Sequence, residues 1–315
     1  MSSDAPPPKR QRTDDVSVTR SDIWYSDGSV VLQAQGTQFR VHWSLLAQHS
    51  VFFRDMQALP QPPDQPSVEG CPVIELHDAI ADVKNLLTVL YTPMFPLERA
   101  ASFETISAAV RLGRKYEFRK LLDWPVELVM ATSPTLFRAY EDGFPEDDVI
   151  DYRGLELEIL SLARENNILS ALPCAYYRVV ISYSQTELFS GVSPYDSERL
   201  ISLAPTDLRR CVLGREALIS AQFKPGYTLD WLSTWAPSRD CVEPAVCADK
   251  QDQEFRRCMR DPALLALDYR LPYNSFCFPC TQGINRLITD GKIRMWAELP
   301  EFFGMSPWDE LTNDV

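Results

Sequence analysis

Glycine is scarce in this chain, twelve in 315 residues, and histidine is scarcer, with three. Few glycines leave little material for backbone loops that cradle phosphates, and neither a P-loop nor the dinucleotide Gly-x-Gly-x-x-Gly is present. The Gly-x-Ser-x-Gly elbow and His-Glu-x-x-His are missing too, so no nucleophile–base pair or open metal site can be read from the chain. The expectation is a protein that is not an enzyme. No apolar run approaches the roughly 20 residues that span a bilayer, and the first residues are polar, without a hydrophobic signal core. This predicts an intracellular protein, nuclear or cytoplasmic, neither secreted nor inserted in a membrane. Excess positive charge is lacking as well: 31 Lys+Arg against 44 Asp+Glu leave −13. That field repels a phosphate backbone, which makes nucleic acid a poor partner.

What is present is ordinary for a globular protein, 45% hydrophobic and 24% charged residues over a length that suffices for two domains. The first twenty residues are polar and contain Pro6-Pro-Pro8, so residues 1–20 are expected to be a disordered tail. Within them Lys9, Arg10 and Arg12 form a short basic segment that fits either a nuclear-import signal or a solubilising tail.

From Ser29 the chain is rich in β-branched and apolar residues as far as Ala34. Gln35-Gly36 then offers a turn in which Gly tolerates positive φ, and Phe39 and Val41 alternate with Gln38 and Arg40, so a hairpin is predicted. From Ser44 the period becomes helical, with Leu45, Leu46, Phe52, Phe53 and Met56 apolar and Ser50 placed to cap a second short helix. A strand over Val73–Asp78 follows, then a helix over Asp82–Tyr91 whose Val83, Leu86, Leu87, Leu90 and Tyr91 make one stripe. The proline-rich stretch from Gln57 to Cys71 reads as a loop. Later helices are expected from Ser102 to Tyr116, ending in the basic Arg111, Arg114 and Lys115, and from Phe118 to a stop near Pro125. Glu146-Asp147-Asp148 reads as a solvated acidic loop.

The order Asp22, hairpin, Phe39-x-Val-His42, Leu45-Leu46-Ala47, Ser50-x-Phe-Phe53, Met56, then strand and helix to Tyr91, resembles the opening of a BTB/POZ domain. The resemblance implies an α+β fold for residues 21–125, a small sheet flanked by a helical cluster. Residues 126–315 are expected to form an all-helical region, with stripes such as Leu155, Ile159, Leu162 and Ala163, and a helix from Pro205 capped by Thr206. The segments Leu208–Ala217 and Leu299–Leu311 are similar to the tails of BTB proteins found in fungi. No repeat of fixed period occurs, which argues against the kelch or ankyrin partners of other BTB proteins.

The family implies self-association and, in some members, recruitment of cullin-type ubiquitin ligases. Asp22 matches the family aspartate at the base of the dimer pocket, or is simply a turn residue at a strand start. Its usual cationic partner is replaced by Trp43, so the ion pair is expected to be missing. Asp22, Trp24 and Trp43 are the candidate partner contacts, and His42 is read as a structural hydrogen-bonding residue. The hydrophobic-x-Glu motif of cullin adaptors is absent, since the segment 57–72 contains only Glu69.

Five of the eight cysteines fall between 241 and 280. Cys277-Phe-Pro-Cys280 is a knuckle that brings two thiolates to one side, and Cys241 and Cys247, with Cys258 as substitute, can complete a four-sulfur site for structural zinc. Plain burial of small apolar residues is the competing reading. A redox pair lacks a thioredoxin-like surround, and a disulfide is disfavoured in a reducing compartment. The functional expectation is a BTB-mediated scaffold or adaptor, with a nuclear transcription-associated regulator bearing a zinc site, or a cullin adaptor, as alternatives.

Overall fold

The computed structural model describes residues 18–60, 62, 64–92, 101–143, 149–194, 199–260, 267–273 and 275–314. Lys9, Arg10, Arg12 and the acidic run 146–148 lie outside the described residues. The chain divides into two units, residues 1–98 with 104–122, and residues 99–103 with 123–315.

In the first unit the hairpin forms as its turn chemistry dictates. Strands β2 (Val30–Ala34) and β3 (Thr37–Val41) pair antiparallel with Leu32 opposite Phe39. Both turn residues take positive φ, Gln35 at 47° and Gly36 at 82°, the primed turn whose twist suits a hairpin. Val30, Leu32, Phe39 and Val41 are buried and leave an apolar face that helices must cover. Two helices, α1 (Trp43–His49) and α2 (Val51–Ala58), provide part of that cover. Between them Ser50 acts as a double clamp. Its Oγ accepts from the Phe53 N–H at 3.0 Å, capping α2, and donates to the Tyr116 carbonyl at 2.5 Å. Helix α3 (Ile80–Tyr91) buries Val83, Leu86, Leu87 and Leu90 against the same core, which Leu112, Tyr116 and Phe118 complete.

The sheet has five strands in the order β1 (Thr19–Trp24), β3, β2, β5 (Cys71–Leu76), β4 (Ser67–Val68), with β5 parallel to β2. Two departures from the sequence reading occur here. Thr19 and Arg20, expected in the tail, open an edge strand β1 (Thr19–Trp24) that runs parallel to β3. Its polar, non-alternating sequence carries no strand signal, and pairing with β3 supplies what propensity does not. The expected loop 57–71 also contains structure: α2 runs to Ala58, and the two-residue strand β4 (Ser67–Val68) pairs with the start of β5.

Helix α4 (Phe103–Lys115) follows, then α5 (Arg119–Thr132), which does not stop at Pro125. Proline forfeits one helical hydrogen bond, yet Leu122, Leu128 and Val129 are buried along the helix; burial outweighs the lost bond. The second unit is mostly helical: α6 (Phe137–Asp142), α7 (Leu155–Glu165), α8 (Leu172–Ser182), α9 (Gln185–Ser190), α10 (Pro205–Ala221), α11 (Trp231–Thr234), α12 (Pro244–Arg260), α13 (Phe278–Ala297) and α14 (Leu299–Phe302). Two isolated bridges, Ala101–Val149 and Val192–Ile201, depart from the all-helical expectation. Thr206 is not a cap: α10 begins at Pro205, and Ala204 holds the cap position without a side-chain bond. Proline at the first helical position needs no N–H partner and presets φ, which starts the helix by itself. The carboxylate of Asp207, buried in the first turn, accepts from Arg164 Nε at 2.6 Å and from the Tyr176 hydroxyl at 2.5 Å.

Candidate functional site

The candidate partner residues of the first unit separate into two environments. Asp22 is exposed on the edge strand β1 and pairs with Lys84 Nζ of α3 at 2.8 Å, so the cation expected to be missing is supplied by another element. That hydrogen bond, with a second from Ser21, holds the Asp22 carboxyl below the usual range. Trp24 is half-buried, and the guanidinium of Arg20 lies 4.4 Å from its ring centroid, a cation–π contact. Trp43 is different. It is 6% exposed within the core, and its indole N–H donates to the Phe53 carbonyl at 3.3 Å. Expected at a partner surface, it is a packing residue, because α1 begins at Trp43 and turns that side chain inward beneath the hairpin. His42 is held by its neighbours: Nδ1 lies 3.0 Å from the Tyr91 hydroxyl and Nε2 3.2 Å from Asp27. Glu69, the acidic residue of the 57–72 segment, is occupied by Arg20 and Arg40, each at 2.7 Å.

In the second unit the four cysteines named from the sequence meet. The sulfurs of Cys241, Cys247, Cys277 and Cys280 all lie within 4.8 Å of one another, with Cys241 and Cys277 at 3.6 Å. None is in a disulfide. Two helix starts bring them together. Cys277 is the N-cap of α13 and Cys280 lies in its first turn, with Pro279 between them at a position that tolerates a missing N–H. Cys247 sits in the first turn of α12, and Cys241 in the preceding loop. Cys258 does not join them. Eleven residues on from Cys247 is about three turns, which keeps the same face but displaces it by about 16 Å along the axis. Its thiol is buried beside Glu254, to which the Tyr269 hydroxyl donates at 2.9 Å.

Hydrogen bonding from the Cys280 and Val242 backbone N–H groups draws the Cys277 thiol down to about 6, and the Glu243 and Ser238 N–H groups act in the same direction on Cys241 and Cys280. Desolvation dominates at the neighbours, raising Cys280 and pushing Cys241 up to about 12. Cys247 and Cys280 are buried, Cys241 and Cys277 half-buried, and Trp231, Trp235, Phe276 and Ile284 belong to the same apolar cluster.

The second unit also has a cavity of about 300 Å³ beside Tyr140, Asp268 and Lys292. Of the two carboxylates that line it, Asp268 accepts from the hydroxyls of Tyr140 at 2.8 Å and Tyr177 at 2.7 Å, and Glu141 lies 3.9 Å from Lys292 Nζ. Desolvation lowers the pKa of Lys292. Among the described residues no helix is long and apolar enough to cross a membrane.

A small mixed sheet carrying a cluster of short helices is followed by a mostly helical unit. Residues 23–127, a third of the chain, match the family model of the BTB/POZ domain. The chain therefore carries a BTB/POZ domain, a class that mediates protein–protein interaction and self-association. No curated protein matches the chain.

Proposed function

We propose that this protein is a non-enzymatic scaffold or adaptor that assembles through its BTB/POZ unit, first with a second copy of itself. The match over residues 23–127 carries this reading. Edge strand β1 supports it: it lies at the end of the sheet order, with Thr19, Arg20 and Asp22 exposed and Trp24 half-buried. An edge of this kind accepts another chain by strand addition, and a half-buried aromatic ring beside it gives apolar contact area. Asp22 and Trp24 are the contacts assigned to the partner, and Trp43 supports them from the core.

Recruitment of a cullin is the weaker reading, because the segment between α2 and β5 lacks the hydrophobic-x-Glu motif and its Glu69 is held by two arginines. A nuclear regulator that contacts DNA is weaker still at a net charge of −13. The likeness of residues 208–217 and 299–311 to tails of fungal BTB proteins extends the proposal to the whole chain. Co-expression of two differently tagged full-length copies tests it. Each tag should capture the other copy, and capture of neither copy by the other overturns self-association.

A further inference from the structure

The four-cysteine cluster of the second unit is independent of the BTB/POZ reading and has a chemistry of its own. We propose that Cys241, Cys247, Cys277 and Cys280 bind one zinc ion in a closed, structural, all-thiolate site that fastens the loop before α12 and the starts of α12 and α13 to one another.

Geometry carries this. A tetrahedral zinc with Zn–S bonds of about 2.3 Å requires sulfur–sulfur separations of roughly 3.8 Å. The sulfurs here are within 4.8 Å of one another and 3.6 Å for the Cys241–Cys277 pair, so small side-chain adjustments close the tetrahedron. A disulfide needs sulfurs about 2.05 Å apart, and a polynuclear iron–sulfur cluster needs its cysteines spread around several irons. Four cysteines grouped this tightly suit a single ion. All four positions are filled by protein, which leaves no site for water or substrate and makes the role structural.

The surroundings match that role. Two helices present their N-terminal ends, where the macrodipole favours anionic sulfur. Among the described residues the cluster consists of four cysteines, so cysteine alone supplies the donors. Cys258, the substitute ligand offered by sequence spacing, lies outside the cluster and becomes an internal control.

The test is the metal content of the purified full-length chain, produced with zinc supplied, for the wild type and for the Cys280→Ser, Cys247→Ser and Cys258→Ser variants. The expected result is one zinc per chain in the wild type and in Cys258→Ser, falling to about a tenth or less when a ligand is lost. If the ligand variants do not fold, X-ray absorption on the wild type decides, with four sulfur neighbours at about 2.3 Å from zinc as the expected shell. Folded wild type that remains metal-free after addition of zinc overturns the proposal. So do iron in place of zinc, a shell with fewer than four sulfurs, or a folded Cys280→Ser variant that keeps its full zinc.

Discussion

Two glycines on the same helix, α13, should respond in opposite directions to the same substitution. An exposed helical glycine replaced by alanine gains about 1 kcal/mol of helix propensity. At Gly283 a new Cβ meets only Trp235 Nε1, at 4.0 Å, so Gly283→Ala should keep that gain. At Gly291 the Cβ would lie 2.5 Å from Thr228 N and Tyr227 C and 2.7 Å from Thr228 Cα. Such contacts relax near 3.5 Å, so the chain must back off by about 1 Å. Overpacking costs about 1–3 kcal/mol, and main-chain atoms put this site at the upper end. Subtracting the propensity gain leaves Gly291→Ala less stable by about 1–2 kcal/mol. For a unit of roughly 190 residues this lowers Tm by about 2–8 °C, while Gly283→Ala raises it by about 2–4 °C. Thermal unfolding of the full-length chain, followed by circular dichroism, reads both. A Gly291→Ala protein stabilised as much as Gly283→Ala would refute the close approach of α13 to the Tyr227–Thr228 turn.

Other predictions concern single side chains. Ser50→Ala removes the cap of α2 and strands the Tyr116 carbonyl, and should cost about 2–4 kcal/mol in urea unfolding; a loss under about 0.5 kcal/mol contradicts the double clamp. Trp43→Ala should destabilise the chain by about 3–5 kcal/mol, as expected of a core aromatic. A stable variant with weakened association would instead return Trp43 to the partner surface. Glu187 is held by the Ser184 hydroxyl, the Ser184 N–H and Arg153, which bring its carboxyl down to about 2 from 4.5. Its stabilisation is complete above pH 4.5 and fades as pH falls through that range toward 2. Carboxyl NMR titration should find that low midpoint, and a midpoint near 4.5 rejects the capping box of α9.

The parts of this fold that can be read from the sequence are those with local causes. Gln35-Gly36 fixes the hairpin because turn geometry depends on two residues, and Ser50 is recognisable as a cap because its partner is three residues away. Strand β1 is illegible because an edge strand with polar residues owes its form to β3, a distant segment. Pro125 misleads for the same reason, since tertiary burial carries α5 through its proline, whereas Thr206 misleads locally, because Pro205 starts α10 without help from the threonine. Trp43 shows the limit for partner contacts, since an aromatic residue at a helix start looks alike whether it faces the core or a partner. The cysteine site is partly legible. Knuckle spacing marks Cys277 and Cys280, but the choice between Cys247 and Cys258 depends on where α12 begins, and both lie on one helical face.

The mass of the full-length chain in solution tests the account's central claim most directly. Light scattering across low to high micromolar concentrations should give at least twice the 35.9 kDa chain mass, and a charge reversal at Asp22 on the edge strand should reduce it. A single 35.9 kDa species at every concentration would contradict a BTB/POZ unit that assembles this protein with itself.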